Sequence, residues 1–216
     1  MSKYNFMIRK VHSLLGIIPV GIFILFHLLL NSSSLIGVDA YQKVIATMKS
    51  GGFYVNFLEI FVIALPLLFH AIYGLYIVFL ARNNAFQYTY YRNWAFYLQR
   101  ITAVITFLFL LWHVYALRLA QEEPKAIIEV LISTLQNPVF FILYIIGVVS
   151  AIFHFANGLA TFCMSWGITV GPRSQDVFTI LSLAVFAAVA VFAVAILFAI
   201  QGADVNNLAL LTKGGM

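Results

Sequence analysis

The stretch FLEIFVIALPLLFHAIYGLYIVFL, Phe57–Leu80, decides how the rest of the chain is read. It is apolar from end to end, with one acid, Glu59, near its start and one imidazole, His70, deep inside it. About 20 consecutive apolar residues are what a helix needs to cross the ~30 Å of hydrocarbon in a bilayer. The run is continuous rather than alternating, so it suits a spanning helix and not a strand of a membrane barrel. An imidazole at that depth costs free energy unless a partner satisfies it. The role of His70 is therefore the question on which the function turns.

Four more runs of the same kind follow from the sequence: Val11–Leu30, Phe96–Leu117, Val139–Trp166 and Val177–Ile200. The chain of 216 residues is 63% hydrophobic and only 9% charged, too apolar to clothe the surface of a water-soluble domain. The expected fold is an all-α membrane protein of five transmembrane helices, with residues 1–216 forming a single transmembrane domain. The first run follows Lys3, Arg9 and Lys10 but lacks a small-residue cleavage site and carries His27, so it reads as a retained span. The net charge of +5 is scattered over short loops, with no stripe that would neutralise the phosphates of a nucleic acid. The single cysteine, Cys163, forms no intrachain disulfide and reads as a small side chain near a helix end.

Lys and Arg near the helix ends set the orientation. With the N-terminus in the cytoplasm, the inner side holds Lys3, Arg9, Lys10, Arg82, Arg92, Arg100 and Arg173. The outer side then holds Lys43, Lys49, Arg118, Lys125 and Lys213, so an N-in, C-out arrangement is expected. Two outer loops read as short interfacial helices. In the first, Asp39 suits an N-cap and Gly51-Gly52 a stop; in the second, Pro124 opens a helix and Asn137-Pro138 ends it.

Five histidines occur, and four of them, His27, His70, His113 and His154, fall one per run on the first four runs. At a rise of 1.5 Å per residue, His27 and His113 lie roughly 22–28 Å from the inner boundary and His70 and His154 roughly 17–18 Å from it. Two imidazole pairs at two depths follow, His27 with His113 and His70 with His154. Two imidazoles brought from two helices to one point are what axial ligation of a haem iron requires in a four-helix bundle. Without a CxxCH motif any such haem is held non-covalently. Gly74 and Gly158, each four residues beyond a histidine, would leave room for a porphyrin plane, and Thr102 and Thr106 share a face with His113. A lone intramembrane histidine is as often an interhelical hydrogen-bond partner, but four at two paired depths ask for a common purpose. His12 differs, lying at the inner edge beside Arg9 and Lys10.

Across nearly its whole length the chain resembles the di-haem cytochrome b membrane anchors of succinate:menaquinone oxidoreductases, in the five-helix form of Gram-positive bacteria. The stretches that carry the resemblance are RKVHSLLGIIPVGIFILFH, LEIFVIALPLLFHAIYGLY, RNWAFYLQRIT, LWHV, IFHFANGL and WGITVGPRSQ. The resemblance implies two b haems, the cytoplasm-proximal one on His70 and His154 and the distal one on His27 and His113. It further implies a flavoprotein subunit and an iron–sulfur subunit docked on the cytoplasmic face, and menaquinone as the electron acceptor in the cell membrane. This chain has neither flavin motif nor cluster-ligating cysteines, so the dicarboxylate chemistry belongs to those partners. Succinate is a poor reductant for the family's low-potential quinone. Moving an electron from the negative inside to the positive outside supplies about 2.3 kcal/mol per 100 mV toward that step. The same wiring run backwards reduces fumarate.

Three further groups of residues are singled out. Glu59 stands eleven positions before His70, close to three α-helical turns, and is expected to face the bundle as an acid/base for quinone protons. Its other reading is a helix-start carboxylate favoured by the dipole. Arg9, His12, Ser13 and Arg173 suit the propionates of the proximal haem, while Arg9 and Arg173 equally suit positive-inside anchoring. Two other functions compete: the cytochrome b subunit of a hydrogenase or formate dehydrogenase, and a transporter with a histidine relay. The RNW and WGITVGPRSQ stretches argue against the first, and the lack of matching halves against the second.

Overall fold

The computed structural model describes residues 3–120 and 124–204. It is 87% helix, with no strand among the described residues. Five helices are long and apolar enough to cross a membrane: Tyr4–Leu35, Gly52–Leu80, Tyr91–Leu119, Pro138–Ser165 and Pro172–Gln201. The first, third and fifth run past the apolar stretch read from sequence at both ends and the second at its start, because helices continue into the interface where polar side chains are solvated; the fourth matches its stretch to within one residue at each end. Two shorter helices, Val38–Ser50 and Pro124–Gln136, lie between the first and second and between the third and fourth spans. Both therefore sit at the end of the bundle opposite the N-terminus. Lys213 and residues 121–123, counted above for charge and loop composition, fall outside the described residues.

All five prolines of the chain stand in the first turn of a helical segment, and at a true helix start a missing N–H costs nothing. Three open a helix outright: Pro124, Pro138 and Pro172. At Pro138 the Asn137 side chain caps the helix, accepting from Val139 N at 3.0 Å and Phe140 N at 3.4 Å. The other two fall inside spans and mark irregularities. Pro19 follows a break at Ile18, and Pro66 follows a π-wound stretch, Leu58–Ala64. Pro66 has no N–H for the carbonyl one turn earlier, and widening the turn before it accommodates the loss. A second π-wound stretch, Tyr115–Leu119, ends the third span. The first surface helix departs from expectation at its start. Gly37 precedes it with φ 152°, and Asp39 lies inside its first turn, where the carboxylate meets the helix dipole.

The first four spans form a ring in chain order, first against second, second against third, third against fourth and fourth back against first. The closest packing is between the third and fourth spans; the fifth packs on the outside of the fourth. Helix association in lipid gains little from burying apolar surface, so small residues that let backbones approach decide where spans meet. Phe109 of the third span lies against Gly147 of the fourth, and Phe155 of the fourth against Gly21 of the first; a Cβ on either glycine would overlap the ring. The buried core is not in the ring's middle. It joins the fourth and fifth spans to the surface helices, through Phe141, Tyr144, Ile196, Leu197, Ile200, Tyr41, Ile128, Ile132 and Leu135. No residue of the second span is buried.

A Gly147→Val substitution overpacks the Phe109 contact and should cost about 1–3 kcal/mol, read as a lower thermal midpoint in detergent. Gly171→Ala, with open space around the added methyl, serves as the control that stays unchanged.

Candidate haem sites between the spans

The ring brings the four intramembrane histidines together in the two pairs expected from their depths. The His70 and His154 rings lie 6.0 Å apart between centroids, with planes at 81°. Those of His27 and His113 lie 5.9 Å apart at 87°. Two imidazoles bound axially to one metal, about 2 Å from each nitrogen, set ring centres roughly 6 Å apart. No group of three or more His, Cys, Asp or Glu among the described residues could hold a bare metal ion. Pairs of imidazoles suit a metal that brings its equatorial ligands with it, as a haem does. The residues present fit the group.

In three of the four, one ring nitrogen is held by a neighbouring span as a ligand requires. His70 donates from Nδ1 to the carbonyl of His12 at 2.9 Å, and His154 from Nδ1 to the carbonyl of Gln99 at 3.1 Å. In each case the acceptor is a peptide oxygen of a neighbouring span, the first for His70 and the third for His154. His113 Nδ1 lies 3.1 Å from the Tyr144 hydroxyl instead. With Nδ1 engaged, Nε2 is the nitrogen free to ligate.

Around His154 the third and fourth spans are locked from both sides. The Gln99 amide donates to the His154 carbonyl at 3.0 Å while its own carbonyl takes the imidazole proton. Buried Asn157 then donates to Gln99 Oε1 at 2.7 Å and to the Ala95 carbonyl at 3.3 Å. Sequence reading missed this clamp. Its only signal was two amides, Gln99 and Asn157, inside apolar runs, each as costly there as the histidines that drew attention.

On the first span, the His12 ring stacks on His70 at 4.2 Å with planes 3° apart, and its Nε2 is buried without a protein partner. Gly16, one turn on, gives the His70 ring its place; a Cβ there would overlap it. Ser13 accepts from Trp166 Nε1 at 3.0 Å, and Lys10 reaches the Ser165 carbonyl, tying the first span to the end of the fourth. Arg9 and Arg173 are both exposed, and Arg173 starts the fifth span, outside the ring. Of the four residues read as propionate contacts, His12 and Ser13 are thus held at the proximal pair's end of the first span.

Within 4 Å of an added Cβ, Gly74 meets only His12 Nε2 and Gly158 only the Gln99 amide nitrogen. Two expectations are revised. Thr102 bonds its own helix backbone, at Leu98 O and Gln99 O, and Thr106 Oγ1 is buried without a partner, so neither threonine serves His113. Glu59 lies in the π-wound stretch, which breaks the three-turn register with His70, and it turns to the third span. There Arg118, in the other π-wound stretch, donates to Glu59 Oε2 from Nε at 2.9 Å and from its terminal nitrogen at 2.6 Å. Arg118 also reaches Asn56 Oδ1 at 3.0 Å. The Glu59 and Arg118 side chains are 37% and 47% exposed.

Comparison with known proteins now bears on this geometry. Residues 81–197 match the family model described as succinate dehydrogenase/fumarate reductase transmembrane subunit. The chain belongs to that family. It is also 46% identical, over 90% of its own length and 96% of the relative's, to the succinate dehydrogenase cytochrome b558 subunit of Bacillus subtilis (strain 168). This member of the family is a multi-pass membrane protein, and the hydrogenase, formate dehydrogenase and transporter readings are not favoured.

Replacing Gln99 by Leu removes the side-chain half of the clamp and leaves the Asn157 amide with its longer bond to the Ala95 carbonyl alone. The expected cost is about 1–3 kcal/mol, measured as a lower thermal midpoint in detergent, and an unchanged midpoint would show that the clamp carries no stability.

Proposed function

We propose that this chain is the membrane anchor and electron-transfer subunit of a succinate dehydrogenase in the bacterial cell membrane. His70 with His154 and His27 with His113 hold two b haems. Bound there, the haems supply one-electron carriage between an iron–sulfur partner, docked with its flavoprotein subunit on the N-terminal, cytoplasmic side, and menaquinone near the opposite side. The observation that carries this reading is the closing of four imidazoles, one from each of four spans, into two pairs about 6 Å apart. The similarity to a cytochrome b558 subunit supports the same reading.

The chain's own residues do the rest. The peptide carbonyls of His12 and Gln99 fix the tautomer of the proximal pair, so that Nε2 is the nitrogen that would ligate a haem iron. His12 and Ser13 stand at the same end to meet propionate oxygens, with Arg9 and Arg173 as exposed cations on that side. At the other end Glu59 handles the protons that quinone reduction consumes. Both Arg118 donors converge on Oε2, and Oε1 is the oxygen that exchanges a proton with bound quinone. No dicarboxylate chemistry falls to this chain.

A reduced-minus-oxidised spectrum of the purified complex, with pyridine haemochrome quantitation, should give two b haems per chain. A folded preparation without haem overturns the reading. His154→Ala should leave about one. Glu59→Gln should lower quinone-reductase turnover by at least ~10²-fold while succinate oxidation with a soluble dye is retained. The fold should not suffer, since a part-exposed ion pair contributes only about 0–1 kcal/mol.

A further inference from the structure

The two imidazole pairs are held by different chemistry. In the proximal pair both Nδ1 atoms meet peptide carbonyls, which every residue possesses and no substitution removes. In the distal pair His113 Nδ1 meets a side-chain hydroxyl, that of Tyr144, at 3.1 Å. A phenol oxygen is a weaker acceptor than a peptide carbonyl, because its lone pairs are drawn into the ring.

The tyrosine is seated by more than this bond. Its ring is 3% exposed and meets Trp112 at 5.1 Å and Phe109 at 5.2 Å, both edge to face and both from the third span that carries His113. Phe109 in turn rests against Gly147, one turn along the fourth span from Tyr144, and lies 5.3 Å from the His113 ring. On its other side Tyr144 belongs to the buried core beneath the surface helices. Packing thus aims the hydroxyl at His113 whether or not the hydrogen bond is made. That is the preorganisation a ligand's supporting group needs.

We propose that Tyr144 is a positioning residue that sets the tautomer and donor strength of His113 and thereby tunes the redox potential of the distal haem alone. The inference rests on the reading of His113 as an iron ligand. With Nε2 on the metal, Nδ1 carries the proton and donates to the Tyr144 oxygen. Withdrawing an acceptor from Nδ1–H makes the imidazole a poorer donor to iron, which disfavours the more positively charged ferric state. Removing the hydroxyl therefore raises the midpoint potential. A tyrosine that only filled space would move neither potential when its oxygen was deleted.

The test is a redox titration of the purified complex carrying Tyr144→Phe, followed by haem absorbance, with haemochrome quantitation alongside. The expected result is two haems per chain, one midpoint shifted upward and the other unchanged. Two haems with both midpoints unmoved overturn the proposal and leave the assignment of His113 intact, as does a downward shift. Should Tyr144→Phe not accumulate, a fluorinated tyrosine placed at position 144 keeps the ring and weakens only the acceptor. The same midpoint should then rise by a smaller amount, and an unmoved midpoint overturns the proposal. The underlying ligand assignment fails separately, if His113→Ala retains both haems.

Discussion

An imidazole in hydrocarbon has two nitrogens to satisfy and no water to satisfy them, and the architecture of this chain follows from solving that problem four times. In the bilayer core each span already spends its backbone groups on its own helix. The carbonyls that accept from His70 and His154 are therefore accepting a second bond. Each comes from a neighbouring span, so satisfying one nitrogen of a ligand also fixes the distance between two helices. The first span is tied to the second through the His12 carbonyl, and the third to the fourth through Gln99. The paired rings then lie about 6 Å apart between centroids. Helix packing and the pairing of the imidazoles are one set of contacts seen from two directions.

How much of this was legible in the sequence depended on range. The five spans were, because a run of some 20 apolar residues has few other uses. The pairing of the histidines was legible too, since depth along a helix is almost linear in residue number and four depths falling into two classes leave little choice. The register of Glu59 was not. It assumed 3.6 residues per turn throughout, and the π-wound stretch before Pro66 violates that assumption over the segment that holds Glu59. Pro66 was visible in the sequence, but whether a proline kinks a helix or widens the turn before it depends on its neighbours. Arg118 was counted as a loop cation for topology; only the fold brings it 2.6 Å from a carboxylate 59 positions earlier. Tyr144 and the Gln99–Asn157 clamp escaped because an aromatic or an amide in an apolar run has many innocent explanations, and distance in sequence hides the partner.

The two ends of the molecule are built on opposite plans. The proximal pair lies where the first span's His12 stacks on His70 and where Lys10 and Ser13 bind the end of the fourth span. Polar bonds join the spans there, beside buried Ile152, Phe155 and Ala156 of the fourth span. The distal pair sits below a lid of two surface helices whose apolar faces close over the fourth and fifth spans. Tyr41 on the first of these donates to Asn31, and Asn31 donates to the His27 carbonyl, so the lid is bonded to the ligand helix as well as packed on it. Burial raises the pKa of Tyr41, which keeps its hydroxyl protonated and able to donate. Glu59 and Arg118, on the second and third spans, stay partly exposed.

The fourth span carries a disproportionate share of the specificity. It supplies His154 to one pair and Tyr144 to the other, Asn157 to the clamp, and Gly147 to the contact with Phe109 of the third span. It is also the span with the largest buried fraction, packed between the third and the fifth. The second span is the reverse: it provides His70 and Glu59 yet buries nothing and touches its neighbours lightly. A ligand on so loosely held a helix needs its position set by something other than packing. The carbonyl of His12, the stacked His12 ring and the space left by Gly16 are three separate contacts from the first span to one imidazole. They hold His70 where its own helix does not, and this accounts for a fifth histidine beside a pair that needs only two.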